Sequence, residues 1–183
     1  MTVYDEEAGV PAAALVPPVS VEQPVGAVVA AAGLTRLCVA EAKKYGHLCY
    51  FFNGHRDTPF DPALERYVKV RSLPGRDENH PAMATAAVVE RVLDAVHGRD
   101  GPTPDLLCIN LANGDMCGHT GVLDAAVAGM EAVDAAVSRL LAAVVGAGGG
   151  GLANVSAAVL HLLGLEAPDG YLPSVLVKAN KGV

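Results

Sequence analysis

A short apolar run at residues 105–110 is followed by a glycine-rich segment and then by a long amphipathic one. The run reads Asp-Leu-Leu-Cys-Ile-Asn, which is the pattern of a buried strand in a parallel sheet covered on both faces. From residue 123 onward apolar residues recur at steps of 3 and 4, which predicts one long helix with a single apolar stripe. The stripe comprises Leu123, Val127, Met130, Val133, Val137, Leu140 and Val144. Together with the segments described next, this order predicts an α/β fold, a layered sheet flanked by helices.

Earlier segments repeat the alternation of strand and helix. Residues 82–97 carry apolar side chains at helical steps and are followed by Gly98, which predicts a helix. Residues 66–72 alternate in polarity, as in a strand with one solvated face. The remaining predicted elements are strands at 37–40, 47–52 and 173–177, helices at 23–32 and 154–163, and loops at 1–20 and 111–121.

The charge balance excludes some classes of partner. The chain has 13 basic and 20 acidic residues and a formal net charge of −7, whereas nucleic acids and anionic membranes bind cationic surfaces. Its first residues are acidic, so no signal peptide is expected, and no uninterrupted apolar stretch predicts a membrane span. The four cysteines lack Cys-x-x-Cys spacing, which indicates reduced, mostly buried thiols and a cytoplasmic location.

The segment after the strand at 105–110 contains the residues most suited to chemistry. In α/β folds, ligands bind at the carboxyl ends of strands, and this segment places Asp115 and His119 there. We expect Gly114, Gly118 and Gly121 to let the backbone bend so that both side chains face one point. A carboxylate and an imidazole suit Mn²⁺ or Zn²⁺. An aspartate and a histidine that only cap a turn and a helix would give the same spacing, so the pattern by itself leaves both interpretations open.

Several blocks in the same order resemble one known family. Residues 113–121 read Asn-Gly-Asp-Met-Cys-Gly-His-Thr-Gly and closely resemble the metal-binding loop of the cofactor-independent (2,3-bisphosphoglycerate-independent) phosphoglycerate mutases. Residues 41–47 and 50–54 resemble a second block of that family, and residues 131–134 resemble the helix after the loop. Residues 1–5 and 151–168 are similar to further parts, so the resemblance covers nearly the whole chain.

The resemblance implies specific roles for three residues. Asp115 and His119 match two ligands of one of the family's two Mn²⁺ ions, and Lys44 matches a lysine that contacts the substrate phosphate. His47 lies in the same block as Lys44 and is either part of the site or the first residue of a strand. The family has an alkaline-phosphatase-like fold and interconverts 3-phosphoglycerate and 2-phosphoglycerate, a small phosphorylated substrate, through a serine that carries the phosphoryl group.

Two parts of the family pattern have no match in this chain. The nucleophilic serine and a further metal carboxylate belong to an N-terminal part without a counterpart, and the inserted phosphotransferase domain also has none. The five serines lie at none of the matching positions, so no catalytic residue is assigned. Where the family has an Asp-His-Gly motif and a further histidine ligand, residues 146–151 are a glycine run. We therefore expect residues 1–183 to form a single incomplete phosphatase-type domain with at most a partial metal site.

Two functions follow as expectations. The first is a phosphoglycerate mutase, with weak or no activity in this chain alone, and the second is a non-catalytic module of the same fold. The glycine run also fits the dinucleotide-binding pattern Gly-x-Gly-x-x-Gly, but the helical period that precedes it favours a flexible linker. The chain has 31 Ala and 26 Val, so its core is built mainly from small side chains that each bury little area. This composition and the missing parts of the family pattern predict association that covers an exposed sheet edge.

Overall fold

A computed structural model of the chain describes residues 21–146. Three strands, β1 (Arg36–Glu41), β2 (Glu65–Val70) and β3 (Leu106–Asn110), form a parallel sheet in the order β2-β1-β3. The helices are α1 (Val25–Ala31), α2 (Thr85–Val96), α3 (Asn113–Gly118) and α4 (Leu123–Gly146). The predicted α/β fold is confirmed in this part of the chain. The predictions for residues 1–20, the glycine run beyond residue 146, residues 154–163 and residues 173–177 lie outside the described residues.

The core lies between the sheet and two helices. β1 is buried along its whole length because it is the middle strand, and its Leu37 and Val39 face α2 and α4. The other members of this core cluster are Val88, Val89, Val92, Ala95, Val96, Ala136 and Leu140. β3 differs from its prediction: all five of its residues are half-buried, because it is an edge strand of the described sheet.

The opposite face of the sheet is covered by a second, smaller cluster. Cys38 and Ala40 alternate with the residues that face the helices and pack against Leu48 and Cys49. Cys38 is directly opposite Cys108 on the neighbouring strand. Cys38, Cys49 and Cys117 are buried, Cys108 is half-buried, and all four are free thiols, as predicted from their spacing.

The predicted strand at residues 47–52 is wrong. His47–Phe51 form one turn of π-helix, in which the Phe52 amide donates to the His47 carbonyl at 3.1 Å. The aromatic run favours a strand by propensity, but Leu48 and Cys49 are adjacent in sequence and both are buried against the same sheet face. A strand would direct one of them away from that face, whereas a helical turn buries both.

The predicted loop at residues 111–121 contains a short helix. In α3, the Met116 amide donates to the Ala112 carbonyl at 3.0 Å, and tertiary packing holds Cys117 in a fully buried position. This packing overrides the low helix propensity of the glycines. Of the three glycines expected to bend the backbone, Gly114 and Gly118 are helical, and only Gly121 has a positive φ, +73°.

The predicted stripe of α4 is correct only in its second half. Leu140 is buried and Val144 packs against the core, but Leu123 is 76% exposed and Val127 50%. In the first half the buried side is made of small residues, Ala125 and Gly129, which let α3 approach closely. Although α4 has 24 residues, neither it nor another helix within residues 21–146 is suited to crossing a membrane.

Candidate metal and substrate site

The topology of the sheet brings two loops to one place. β1 and β3 are parallel neighbours, so their carboxyl ends lie at the same edge of the sheet. A short 3₁₀ turn, Ala42–Lys44, follows β1, and α3 follows β3. Lys44 ends the first of these segments and Asp115 lies in the first turn of the second, so residues distant in sequence become neighbours.

Of the three residues singled out by the resemblance, Asp115 is within contact distance of both Lys44 and His119. Lys44 Nζ is 2.6 Å from Asp115 Oδ2, and His119 Nε2 is 3.4 Å from Asp115 Oδ1. His119 follows Asp115 by one helical turn, and its amide donates to the Asp115 carbonyl at 3.0 Å. Both carboxylate oxygens of Asp115 therefore face a nitrogen-bearing side chain.

The electrostatics of the cluster keep Asp115 ionised. The hydrogen bond from Lys44 is the main cause that holds the pKa of this carboxyl below its ordinary value, and the fields of Lys44, His119 and His47 act in the same direction. The side chain of Lys44 is 17% exposed, whereas those of Asp115 and His119 are 50% and 75% exposed. The site therefore opens on the side of Asp115 and His119.

Asp115 and His119 fit a divalent metal ion in donor type and in spacing. Two donors that each lie about 2.1 Å from one ion are about 3.4 Å apart at the tetrahedral angle of a Zn²⁺ site and about 3.0 Å apart at the right angle of an octahedral Mn²⁺ site, and these two atoms are 3.4 Å apart. Their number is too small, since metal sites in proteins recruit three or more ligands from the chain or from solvent. Within residues 21–146, no group of three or more histidine, cysteine, aspartate or glutamate side chains is arranged to hold a metal ion.

Sequence reasoning missed several polar residues around the site. Lys43 forms an ion pair with Asp77, so the two adjacent lysines have different partners. Glu41 and Asn113 are 3% and 1% exposed and are hydrogen-bonded in the interior. Each is the first residue of a matched block, but its burial depends on the packing of residues 81–85, which no local pattern indicates.

A carboxylate and an imidazole thus lie beside a lysine at the carboxyl edge of a parallel sheet, which is the edge where α/β proteins bind their ligands. The chain belongs to the Metalloenzyme superfamily, whose family model matches residues 7–149. This match includes every residue of the candidate site, and the family is one of metal-dependent proteins.

Similar proteins of known sequence share one name, 2,3-bisphosphoglycerate-independent phosphoglycerate mutase. The chain is 45% identical over 148 residues to the 2,3-bisphosphoglycerate-independent phosphoglycerate mutase of Halobacterium salinarum, and 43% identical over 149 residues to that of Natronomonas pharaonis. Each match covers 81% of this chain and 28% of the relative. The chain thus corresponds to little more than a quarter of the length of these relatives.

The fold of this chain is similar to that of a protein of known structure. The crystal structure of Leishmania mexicana phosphoglycerate mutase at low cobalt concentration matches with a TM-score of 0.73 and 28% sequence identity. The match covers 97% of this chain and 43% of that one. Sequence and structure comparisons therefore lead to the same group of proteins and confirm the predicted family resemblance.

Proposed function

We propose that this chain supplies one side of the metal and substrate site of a cofactor-independent phosphoglycerate mutase. Asp115 and His119 would be two ligands of a Mn²⁺ ion, and Lys44 would bind the phosphate group of phosphoglycerate. The observation that carries the proposal is the convergence of these three side chains from two separate loops. The names of the relatives support the reaction, the interconversion of 3-phosphoglycerate and 2-phosphoglycerate.

The roles follow from the chemistry of the side chains. The Lys44 ammonium is a compact charge that suits a phosphate oxygen, and its partial burial limits the positions it can take. Asp115 is a charged oxygen donor at neutral pH, the lowering of its pKa favours this form further, and the imidazole of His119 supplies a nitrogen donor. When bound, a divalent ion would stabilise the negative charge on a phosphoryl group during its transfer. We assign no nucleophile to this chain and propose that the serine and the other metal ligands lie outside residues 21–146.

A non-catalytic module of the same fold is the second candidate. It is favoured by the donor count, because Asp115 and His119 are two ligands and residues 21–146 hold no larger metal-binding group. An assay for the conversion of 3-phosphoglycerate to 2-phosphoglycerate, with the purified chain and Mn²⁺, discriminates between the candidates. Turnover would exclude the non-catalytic module, and its absence together with Mn²⁺ binding would favour a chain that needs a further part.

The metal-binding half of the proposal has a direct test. Isothermal titration with Mn²⁺ should give heat with the intact chain, and affinity should fall at least about tenfold in Asp115→Asn, which keeps the shape of the side chain but removes its charge. Asp134→Asn is the matched control, since Asp134 is an exposed aspartate of α4. Equal heats from all three proteins would overturn the assignment of Asp115.

The setting of the protein is part of the proposal. The free thiols of the described residues, which are typical of a reducing compartment, support a cytoplasmic location. We also propose that a further chain or a second copy covers the edge strands, because β2 and β3 each have one neighbour in the described sheet. Sedimentation velocity over a range of concentrations would detect self-association, and a constant monomer value would exclude a second copy.

A further inference from the structure

Residues 81–85 lie between the two loops of the candidate site and have an unusual backbone. Met83 has a φ of +48°, a left-handed conformation that non-glycine residues adopt at a cost. Its side chain is only 6% exposed, and its amide donates to the His80 carbonyl at 2.8 Å. Such a conformation persists where the surrounding contacts fix it.

Asn113 fixes one side of this segment. Its Nδ2 donates to the Pro81 carbonyl at 2.7 Å, and its Oδ1 accepts a hydrogen bond from the Thr85 hydroxyl at 2.7 Å. The Cys117 thiol also approaches the Pro81 carbonyl, at 3.7 Å. Asn113 and Cys117 are both in α3, so the helix that carries Asp115 is bound to the segment at both of its turns.

Glu41 fixes the other side. It ends β1, immediately before the turn that carries Lys44, and its Oε2 accepts a hydrogen bond from the Ala84 amide at 3.0 Å. The side chain is buried and lies near the first residues of α2, where the helix dipole favours a carboxylate. A hydrogen bond from a backbone amide to a carboxylate is among the stronger ones, so this contact should hold Glu41 to residue 84 firmly.

We propose that Asn113 and Glu41 are positioning residues that hold the metal ligands of α3 at a fixed distance from Lys44, with residues 81–85 as the shared support. Neither side chain contacts Lys44, Asp115 or His119 in the hydrogen bonds described, so each acts through the backbone that it holds. Removal of a residue that holds a metal ligand in place commonly lowers the metal affinity about 10- to 100-fold. The expected effect on metal affinity rests on the proposed function. The mechanical link, which is the set of hydrogen bonds from Asn113 and Glu41 to residues 81–85, does not depend on it.

Native-state hydrogen exchange tests the mechanical link. We expect Asn113→Ala to speed exchange of the His119 amide at least about tenfold, because Pro81 and Thr85 no longer hold α3. Asn53→Ala is the matched control: Asn53 is also 1% exposed and hydrogen-bonded, but to Arg36, and it should leave the His119 amide within about twofold. Where Asn113→Ala does not fold, Thr85→Val removes one of the two hydrogen bonds while keeping the side-chain shape.

Variants of Glu41 test whether the support is shared. Glu41→Ala should speed exchange of the His119 amide about threefold or more, although the hydrogen bond of Glu41 goes to Ala84 and not to α3. Glu41→Gln, which keeps an acceptor oxygen, should restore slow exchange. No effect of Glu41→Ala on α3 would overturn the shared support.

Mn²⁺ titration of the same variants tests the consequence for the site. We expect the dissociation constant for Mn²⁺ to rise at least about tenfold in Asn113→Ala and to stay within about twofold in Asn53→Ala. Unchanged Mn²⁺ affinity in Asn113→Ala would overturn the positioning role while the metal site stands. If the intact chain binds no Mn²⁺, the proposed metal site fails, and the exchange rates alone decide whether Asn113 and Glu41 hold the two loops together.

Discussion

The Lys44 ammonium lies 2.6 Å from the Asp115 carboxylate, across the ends of two adjacent parallel strands. The contact joins two blocks of the sequence that resemble the same family but are separated by β2 and α2. It also means that the carboxylate proposed to bind a metal ion is already paired with a cation. A divalent ion held by Asp115 would compete with Lys44 for this carboxylate.

Removal of Lys44 should raise the pKa of Asp115. In Lys44→Met the carboxyl loses the hydrogen bond that mainly lowers its pKa, so its midpoint should move up toward the ordinary value of 3.8. Because the pKa of Asp115 is lower in the folded state than in the unfolded state, the ion pair stabilises the fold at pH values above 3.8. This stabilisation is lost as the pH falls through the lowered pKa of the folded state. A ¹³C NMR titration of the Asp115 carboxyl carbon measures the shift. Lys43→Met is the control, since Lys43 pairs with Asp77, and an equal shift in both variants would contradict the assignment of partners.

Two leucines of α4 can test which side of this helix is buried. Leu140 is 8% exposed and packs in the core, so Leu140→Ala should lower the free energy of unfolding by about 3 kcal/mol. Leu123 is 76% exposed, and Leu123→Ala should change it by less than about 0.5 kcal/mol. Urea unfolding measures both. Similar losses would show that the first half of the predicted stripe is buried after all.

The thiols should differ in reactivity. A hydrogen bond from Cys38 and the field of Arg36 lower the pKa of Cys108 to about 7, whereas burial raises the pKa of Cys117. Alkylation of Cys108 by iodoacetamide should therefore accelerate as pH rises through about 7 and should exceed that of Cys117 at least about tenfold at neutral pH. Peptide mass spectrometry gives the rates. Cys38→Ala should slow the alkylation of Cys108. Equal alkylation rates at Cys108 and Cys117 would contradict the predicted difference in reactivity.

The sequence was informative where one pattern determines one structure. The steps of 3 and 4 after residue 123 and the apolar run at 105–110 gave α4 and β3, and the order of strands and helices gave the parallel sheet. The resemblance of two separate blocks brought Lys44 and Asp115 into one hypothesis, and parallel pairing of β1 with β3 explains why they meet.

The sequence was less informative where tertiary packing decides between local alternatives. The aromatic run at 47–52 has the propensity of a strand, yet the burial of Leu48 and Cys49 on one face requires a helical turn. The stripe of α4 does not reveal that α3 packs closely against Gly129, which is not one of its members. Asn113 shows no sign of its role in sequence, because its partners belong to a different segment of the chain.

The central claim is that Asp115 and His119 hold the same metal ion, and pulsed electron paramagnetic resonance of bound Mn²⁺ tests it most directly. We predict modulation from a histidine nitrogen in the intact chain and its loss in His119→Ala. The modulation should persist in His97→Ala, since His97 is an exposed residue at the end of α2. A spectrum without nitrogen modulation in the intact chain, or one that His119→Ala leaves unchanged, would contradict the account.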